Sequence, residues 1–579
     1  MSTNTPAHVD SSNISLDILD RLGEHGTSVA LRRRQGNEWI DVTLAQFHAH
    51  IVETARGLLA SGVRPGSGVA ILAKTRYEWT VLDYATLWIG AATVPIYQTS
   101  SASQIEWILS DSEATHIFYE SDLHLSNIES IRAAVPQLTH VAPITSVLAE
   151  LSASGRDIPD AEVEALRADL TSETIASIIY TSGTYGRPKG CILTHGNFRT
   201  SLAGAQHMLP ELFAAEDAST VLFLPLGHVF ARIIQFGTIR FGAVLGHSPD
   251  IQNLLEDLGS FKPTYFLAVP RVFEKVFNTA STKAWSDGKG RVFDSAARTA
   301  IAWSRAIEQG KSPSLPLRAK HAIFEKSVYS PIREALGGNV QVAISGGAPL
   351  GERLGHFYRG LGINVLEGYG MTETTAPVCV NTLEEQRMGT VGKPFPGMEV
   401  RLTEFGELEF RGPQLFKGYL KQPDATSDVL SPDGWLSTGD LGEIDDDGFV
   451  TITGRKKEVI ITAGGKNVSP AQLEDPIRAH KYVSQCVVVG EGRPFVSALI
   501  TIDTEAWEGS LDDPELFNAI QGVVDEANAQ VSQAESIRKF VILPGDWTER
   551  NGYLTPSLKV RRQAILRDWH DTVESIYVR

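Results

Sequence analysis

With 579 residues, 42% of them hydrophobic and 21% charged, the chain is too long for a single core and is expected to fold as two to four globular units. A formal charge of −17 leaves no basic surplus to displace counterions from nucleic acid, so general nucleic-acid binding is disfavoured. The three cysteines, Cys191, Cys379 and Cys486, are far apart, show no metal-ligand spacing and suggest no disulfide framework; a cytoplasmic protein is the economical reading.

Residues 1–15 read as a disordered lead-in, and residues 1–12 lack the basic start and apolar core of a signal peptide. The apolar stretch 81–96 is interrupted by Asp83 and Pro95, so no integral membrane segment is expected; peripheral association with a membrane stays open. Apolar residues recur at helical spacing over 44–59, where Gly62 and Pro65-Gly66 end the pattern. A strand over 69–73, a helix over 79–89 and a strand over 93–97 follow, an alternation that argues for an α/β domain with a largely parallel sheet.

A further strand over 175–180 feeds the segment 180–190, Tyr-Thr-Ser-Gly-Thr-Tyr-Gly-Arg-Pro-Lys-Gly. Hydroxyls at Thr181, Ser182 and Thr184, the glycines Gly183 and Gly186, and Lys189 are the donors a polyphosphate needs, although an ordinary polar loop has similar composition. The spacing is not that of a Walker A loop, because two residues separate the glycines and no Ser or Thr follows Lys189.

Beyond it, a strand over 221–226 leads to His228, the segment 262–276 begins as a strand and turns at Pro270, and residues 291–309 form a surface helix packed on the core. A strand over 340–344 turns at Ser345-Gly346-Gly347-Ala348-Pro349, where a glycine turn suits a flat base. Residues 363–366 run into Glu367-Gly368-Tyr369-Gly370-Met371-Thr372-Glu373-Thr374. A glycine on each side leaves the Tyr369 ring free to stack, and Glu373 offers oxygen to a hard cation. Asp440 closes the run 435–440 with two acceptor oxygens. The charge run 453–458 reads as a solvated linker, residues 486–490 and 495–502 as a hairpin-like pair, and 517–524 as a helix, before a basic segment at 551–562.

The segment 180–190 closely resembles the phosphate-binding loop of the acyl-adenylate-forming (ANL) superfamily, the acyl-CoA synthetases and their relatives, with Tyr185 standing where a second threonine is usual. The blocks at 345–349, 367–374, 389–394, 435–440, 453–458 and 551–562 follow in that superfamily's order, and the segment 262–276 resembles its long-chain fatty acyl-CoA synthetase branch. The resemblance implies an α/β architecture with a multi-subdomain AMP-binding domain over 16–455 and a mobile α+β domain over 456–579. It implies nucleotide binding by Thr181, Ser182, Gly183, Thr184, Gly186, Lys189, Gly346, Gly347, Ala348, Glu367, Gly368, Tyr369, Gly370, Thr372, Asp440, Arg455 and Lys559. Thr184 and Glu373 are implied as Mg²⁺ ligands and, with Lys559, as catalytic residues. His228 would line the carboxylate site, Lys457 would be the hinge, and Gly464, Gly465 and Lys466 would form part of the coenzyme A passage.

The implied reaction is attack of a fatty acid carboxylate on ATP to give acyl-AMP and pyrophosphate, then displacement of AMP by coenzyme A. A fatty acyl-AMP ligase serving a carrier protein and an aryl or medium-chain acyl-CoA ligase share both domains. A Ser/His/Asp hydrolase is disfavoured because no Gly-x-Ser-x-Gly elbow is present.

Overall fold

A computed structural model describes residues 12–36, 38–181, 187–213, 217–250, 253–555 and 559–578. The strands Gly68–Leu72 and Ala92–Ile96 are apolar but for Thr93 and are buried at every position. Strands buried on both faces need cover on both, and parallel pairing with helical crossovers supplies it. They sit inside a seven-stranded sheet ordered Gly418–Tyr419, Lys189–Thr194, Ile175–Thr181, Ala92–Ile96, Gly68–Leu72, His116–Tyr119, His140–Pro143. The last five run parallel. Lys189–Thr194 folds back antiparallel on Ile175–Thr181, and Gly418–Tyr419 extends that edge. The covering helix Leu44–Ala60 opens with a capping box between Thr43 and Gln46, and all of Tyr77–Trp88 but Glu78 is buried.

A second sheet pairs Tyr265–Ala268, Val342–Ser345 and Asn364–Met371 in parallel, then turns antiparallel through Ala376–Val380 and Lys393–Pro394. A third joins Glu38–Thr43, Val29–Gln35, Val244–His247 and Ser219–Leu222, and an antiparallel fourth contains Leu436–Ile444 and Val450–Arg455. The helix Gly290–Glu308 packs through Phe293, Ala296, Ala297 and Ala300 and leaves Val292 and Ile307 exposed, as a surface helix should. Beyond Ile460 a small three-stranded sheet, Val483–Val489, Val496–Ile502 and Ile537–Leu543, carries the helices Pro470–Arg478 and Pro514–Asn528. Its apolar clusters share no residue with those of the larger N-terminal part. The fold is α/β, a large N-terminal assembly followed by a smaller α+β one.

Two expectations need correction. The lead-in does not extend to residue 15: Asn13, Ile14 and Ser15 are buried. Asn13 Nδ2 donates to the Leu170 carbonyl at 3.1 Å and the Ile14 N–H to His195 Nδ1 at 3.2 Å. A polar composition there supplies specific hydrogen bonds rather than disorder. The strand expected over 221–226 is Ser219–Leu222, and it stops short of Pro225, which has no N–H for a ladder.

Candidate active site

The phosphate-type segment closes a hairpin, with Thr181 opposite Lys189 and Tyr180 opposite Gly190. Ser182, Gly183, Thr184, Tyr185 and Gly186 lie outside the described residues, so the structure speaks only to the flanks. Those flanks are pinned. Trp107 Nε1 donates to the Pro188 carbonyl at 2.8 Å, and Arg187 lies over the Trp107 ring at 4.7 Å. Lys189 Nζ sits 4.7 Å above the ring of Tyr419, which the short antiparallel bridge to Cys191 brings alongside.

Tyr419 also reaches the second candidate block. Its hydroxyl donates to Glu373 Oε1 at 2.7 Å. Glu373 is buried in a single turn after the strand Asn364–Met371, and its carbonyl accepts the Phe416 N–H at 2.9 Å. Burial pushes its carboxyl above the usual carboxylate range, against the hydrogen bonds from Tyr419 and Cys191 and the nearby Arg455 charge. The chain then passes Thr375 and Ala376 at φ of 55° and 70°, a left-handed pair costing about 1–3 kcal/mol for each residue. Gln414 holds that pair in place. Its carbonyl accepts Thr375 Oγ1 at 2.7 Å, and its Nε2 donates to the Thr374 and Pro377 carbonyls at 2.8 Å.

The glycines around Tyr369 have a further cause beyond freeing the ring. A Cβ on Gly370 would lie 1.8 Å from the Ala376 carbonyl oxygen across the strand pair. Tyr369 itself donates to Asp440 Oδ2 at 2.6 Å, and Arg455 Nε stands 3.0 Å from Asp440 Oδ1. Asp440 and Arg455 are register partners in adjacent strands, so the ladder itself sets this pair. Each carboxylate oxygen has a second lone pair with which to accept from a vicinal diol.

Lys559, from the C-terminal part, lies within electrostatic reach of this group. Two local bonds tie it to Thr555: the Lys559 N–H donates to Thr555 Oγ1 at 3.0 Å, and the Thr555 N–H to the Lys559 carbonyl at 2.8 Å. Burial lowers the Lys559 ammonium from the usual lysine range and Arg455 adds to this, while Asp440, Glu373 and Glu458 oppose it. His228 caps the helix Val229–Phe241, its Nδ1 accepting the Phe230 N–H at 3.2 Å. Burial, then the Lys559 charge, lowers it to about 3, so the ring is neutral near pH 7.

The glycine turn after Val342–Ser345 lies beside them: a Cβ on Gly346 would meet the Phe230 ring at 3.5 Å, and Gly347 takes a φ of 85°. Gly347 and Ala348 are exposed. The Glu367 carboxylate accepts the Leu350 N–H at 3.0 Å, propping this turn from behind, and burial raises it to about 7. Thr372 is buried beside Glu373, and Gly368 packs 3.2 Å, at its absent Cβ, from the Cys379 carbonyl.

Lys457 is exposed within the one-turn helix Lys456–Glu458, whose Lys456 Nζ meets Glu407 at 2.8 Å. Gly464, Gly465 and Lys466 are exposed. Gly465 has a φ of 75°, a Cβ there would meet no atom within 4 Å, and Lys466 Nζ pairs with Glu535 at 3.4 Å. Tyr419, Cys191 and Gln414 escaped the sequence reading, because their contacts are made between segments distant in sequence. Among the described residues no group of three His, Cys, Asp or Glu side chains gathers to hold a metal. A single buried carboxylate nonetheless fits the way Mg²⁺ binds, through one or two carboxylates together with substrate phosphates.

An AMP-binding enzyme model matches residues 20–420, and an AMP-binding enzyme C-terminal domain model matches residues 457–579. The chain belongs to the AMP-binding enzyme family. Within that family it is 47% identical to the long-chain-fatty-acid–CoA ligase FadD15 of Mycobacterium tuberculosis, over 98% of this chain and 97% of that one. It is 30% identical to the long-chain-fatty-acid–CoA ligase ACSBG2 of Rattus norvegicus, over 100% of this chain and 94% of that one. The solved anthranilate CoA ligase AuaEII, in complex with anthranoyl-AMP, shares the fold with a TM-score of 0.76 at 20% identity, covering 99% and 100% of the two chains.

Proposed function

We propose that this AMP-binding enzyme activates long-chain fatty acids, forming acyl-AMP and pyrophosphate from ATP and then acyl-CoA with release of AMP. The observation that carries the reading is the buried pair Glu373 and Asp440, each bonded by a tyrosine hydroxyl and Asp440 paired with Arg455, within electrostatic reach of Lys559 from the small C-terminal part. Near-full-length identity to long-chain-fatty-acid–CoA ligases supports the substrate class.

The obstacle in the first half-reaction is electrostatic, since a carboxylate must approach the α-phosphate of ATP. Lys559 and Lys189 offset that repulsion, and the segment Thr181–Thr184 supplies further donors. Tyr369 offers its face to adenine beside the Gly346–Ala348 turn, while Asp440 and Arg455 take the ribose hydroxyls. Glu373 and Thr184 would hold Mg²⁺, which when bound neutralises phosphate charge and fixes the phosphates in line. His228, neutral and committed as a helix cap, lines the acid site without taking a proton. No side chain acts as nucleophile.

In the second half-reaction the α-phosphate repulsion no longer has to be overcome. Lys559 is then dispensable, and turning of the small part about Lys457 would bring Gly464, Gly465 and Lys466 towards the site as the pantetheine passage. ATP–pyrophosphate exchange across acids of graded length, with and without coenzyme A, tests this. Rates should rise with chain length, because each buried methylene contributes about 0.8 kcal/mol. Acetate or benzoate proving the best substrate by kcat/KM would contradict it, and acyl-AMP formation without acyl-CoA would point to a carrier-protein acceptor instead.

A further inference from the structure

Among the residues of the helix Leu315–Phe324, none is buried. One face is nevertheless anchored. His321 Nε2 lies 2.6 Å from the Gly360 carbonyl oxygen, its ring stacks on Trp303 with centroids 4.2 Å apart, and Phe324 lies against Tyr329. At about 100° per residue, Leu317, His321 and Phe324 share that face, and Leu315, Ala319, Ala322 and Ile323 fall on the opposite one. The opposite face is open: Leu315 is 78% exposed and Ile323 69%, with Ala319 and Ala322 also exposed. Single exposed leucines are ordinary, but apolar residues at this spacing form a continuous stripe.

The stripe has charged borders. Arg318 and Lys320 flank it, and Lys311 and Lys326 lie just beyond the two ends of the helix in sequence, against one acid in the same stretch, Glu325, which is paired to Arg333. None of the four cations has a carboxylate partner among the described residues; the Lys311 ammonium donates to the Gln309 side chain. In a chain of net charge −17 this is a local reversal of sign.

We propose that the helix Leu315–Phe324 docks the protein on an anionic lipid bilayer. Its outer stripe enters the headgroup boundary, and the four cations face lipid phosphates. Charge selects this occupant over a second copy of the chain, because a two-fold contact through the stripe would set the same cations against one another. The inference goes beyond acyl activation and does not depend on it, since the helix holds no residue of the candidate site.

Vesicle flotation of the full-length protein tests it, comparing phosphatidylcholine vesicles with equal mixtures of phosphatidylcholine and phosphatidylglycerol. Two double variants are needed, Leu315→Ser with Ile323→Ser, and Arg318→Gln with Lys320→Gln. Neither touches the anchored face, and thermal melting confirms that each stays folded. The wild type should float with the anionic vesicles and partition less as salt is added. Each double variant should partition about tenfold less, with unchanged ATP–pyrophosphate exchange on a soluble acid. Failure of the wild type to float, equal flotation of the variants, or self-association of the wild type that the Leu315→Ser/Ile323→Ser variant abolishes would each overturn the proposal.

Discussion

The two sides of the candidate site are built differently. On the large N-terminal side, Glu373 and Asp440 are buried, and each is fixed by a tyrosine hydroxyl at 2.7 Å and 2.6 Å. Gln414 locks the left-handed pair that follows Glu373, so this side is preorganised. Lys559, by contrast, is tied by two local hydrogen bonds with Thr555, in a part of the chain that docks through partly exposed polar contacts. Arg271 Nη2 donates to Ser484 Oγ at 3.2 Å, Lys275 pairs with Glu505 at 3.6 Å, and Arg353 donates to the Ala479 carbonyl. Exposed pairs of this kind contribute about 0–1 kcal/mol each. Under the proposed function this difference would give rigidity to the binding of nucleotide and reversibility to the placement of the lysine.

The largest effect on the fixed side should come from Glu373→Gln. It removes the buried anion without changing shape, and ATP–pyrophosphate exchange should fall about 10²–10³-fold with no loss of melting temperature. Glu367→Gln should act on stability. A carboxyl raised from an ordinary 4.5 to about 7 binds more protons folded than unfolded between those values, so wild-type stability falls as pH rises through that window. The variant should therefore gain stability over wild type between pH 5 and pH 8, up to on the order of 3 kcal/mol and read as a growing difference in melting temperature, and a constant difference would contradict the burial argument. Tyr419→Phe should cost about tenfold in exchange, roughly 1.4 kcal/mol. Because the lost hydrogen bond stabilised the charged form of Glu373, the acid limb of the pH–rate profile should also move to higher pH. The smallest effect should be on the docking side, where Arg271→Ala should lower exchange only about threefold and leave turnover of supplied acyl-AMP unchanged.

Local motifs were readable from sequence because glycine, hydroxyl and acid sit within a few residues of one another. The Gly-Tyr-Gly block, the Trp-Leu-Ser-Thr-Gly-Asp run and the alternating strands and helices are of this kind. What connects the motifs was not readable. The Tyr419–Glu373 bond depends on the bridge between Gly418–Tyr419 and Lys189–Thr194, and a strand of two residues leaves almost no pattern. The Glu367 carboxylate is taken up by a loop N–H that only the folded sheet brings near it. Gly370 is required by a cross-strand approach invisible in one dimension, and the lead-in looked disordered because the partners of Asn13 and Ile14 are more than a hundred residues away.

The division between a fixed site and a movable lysine is tested most directly by assaying both half-reactions on Lys559→Ala, with folding checked. The account predicts that ATP–pyrophosphate exchange falls at least about 10²-fold while supplied acyl-AMP and coenzyme A still give acyl-CoA within a few-fold of wild type. Parallel loss of both half-reactions would contradict it.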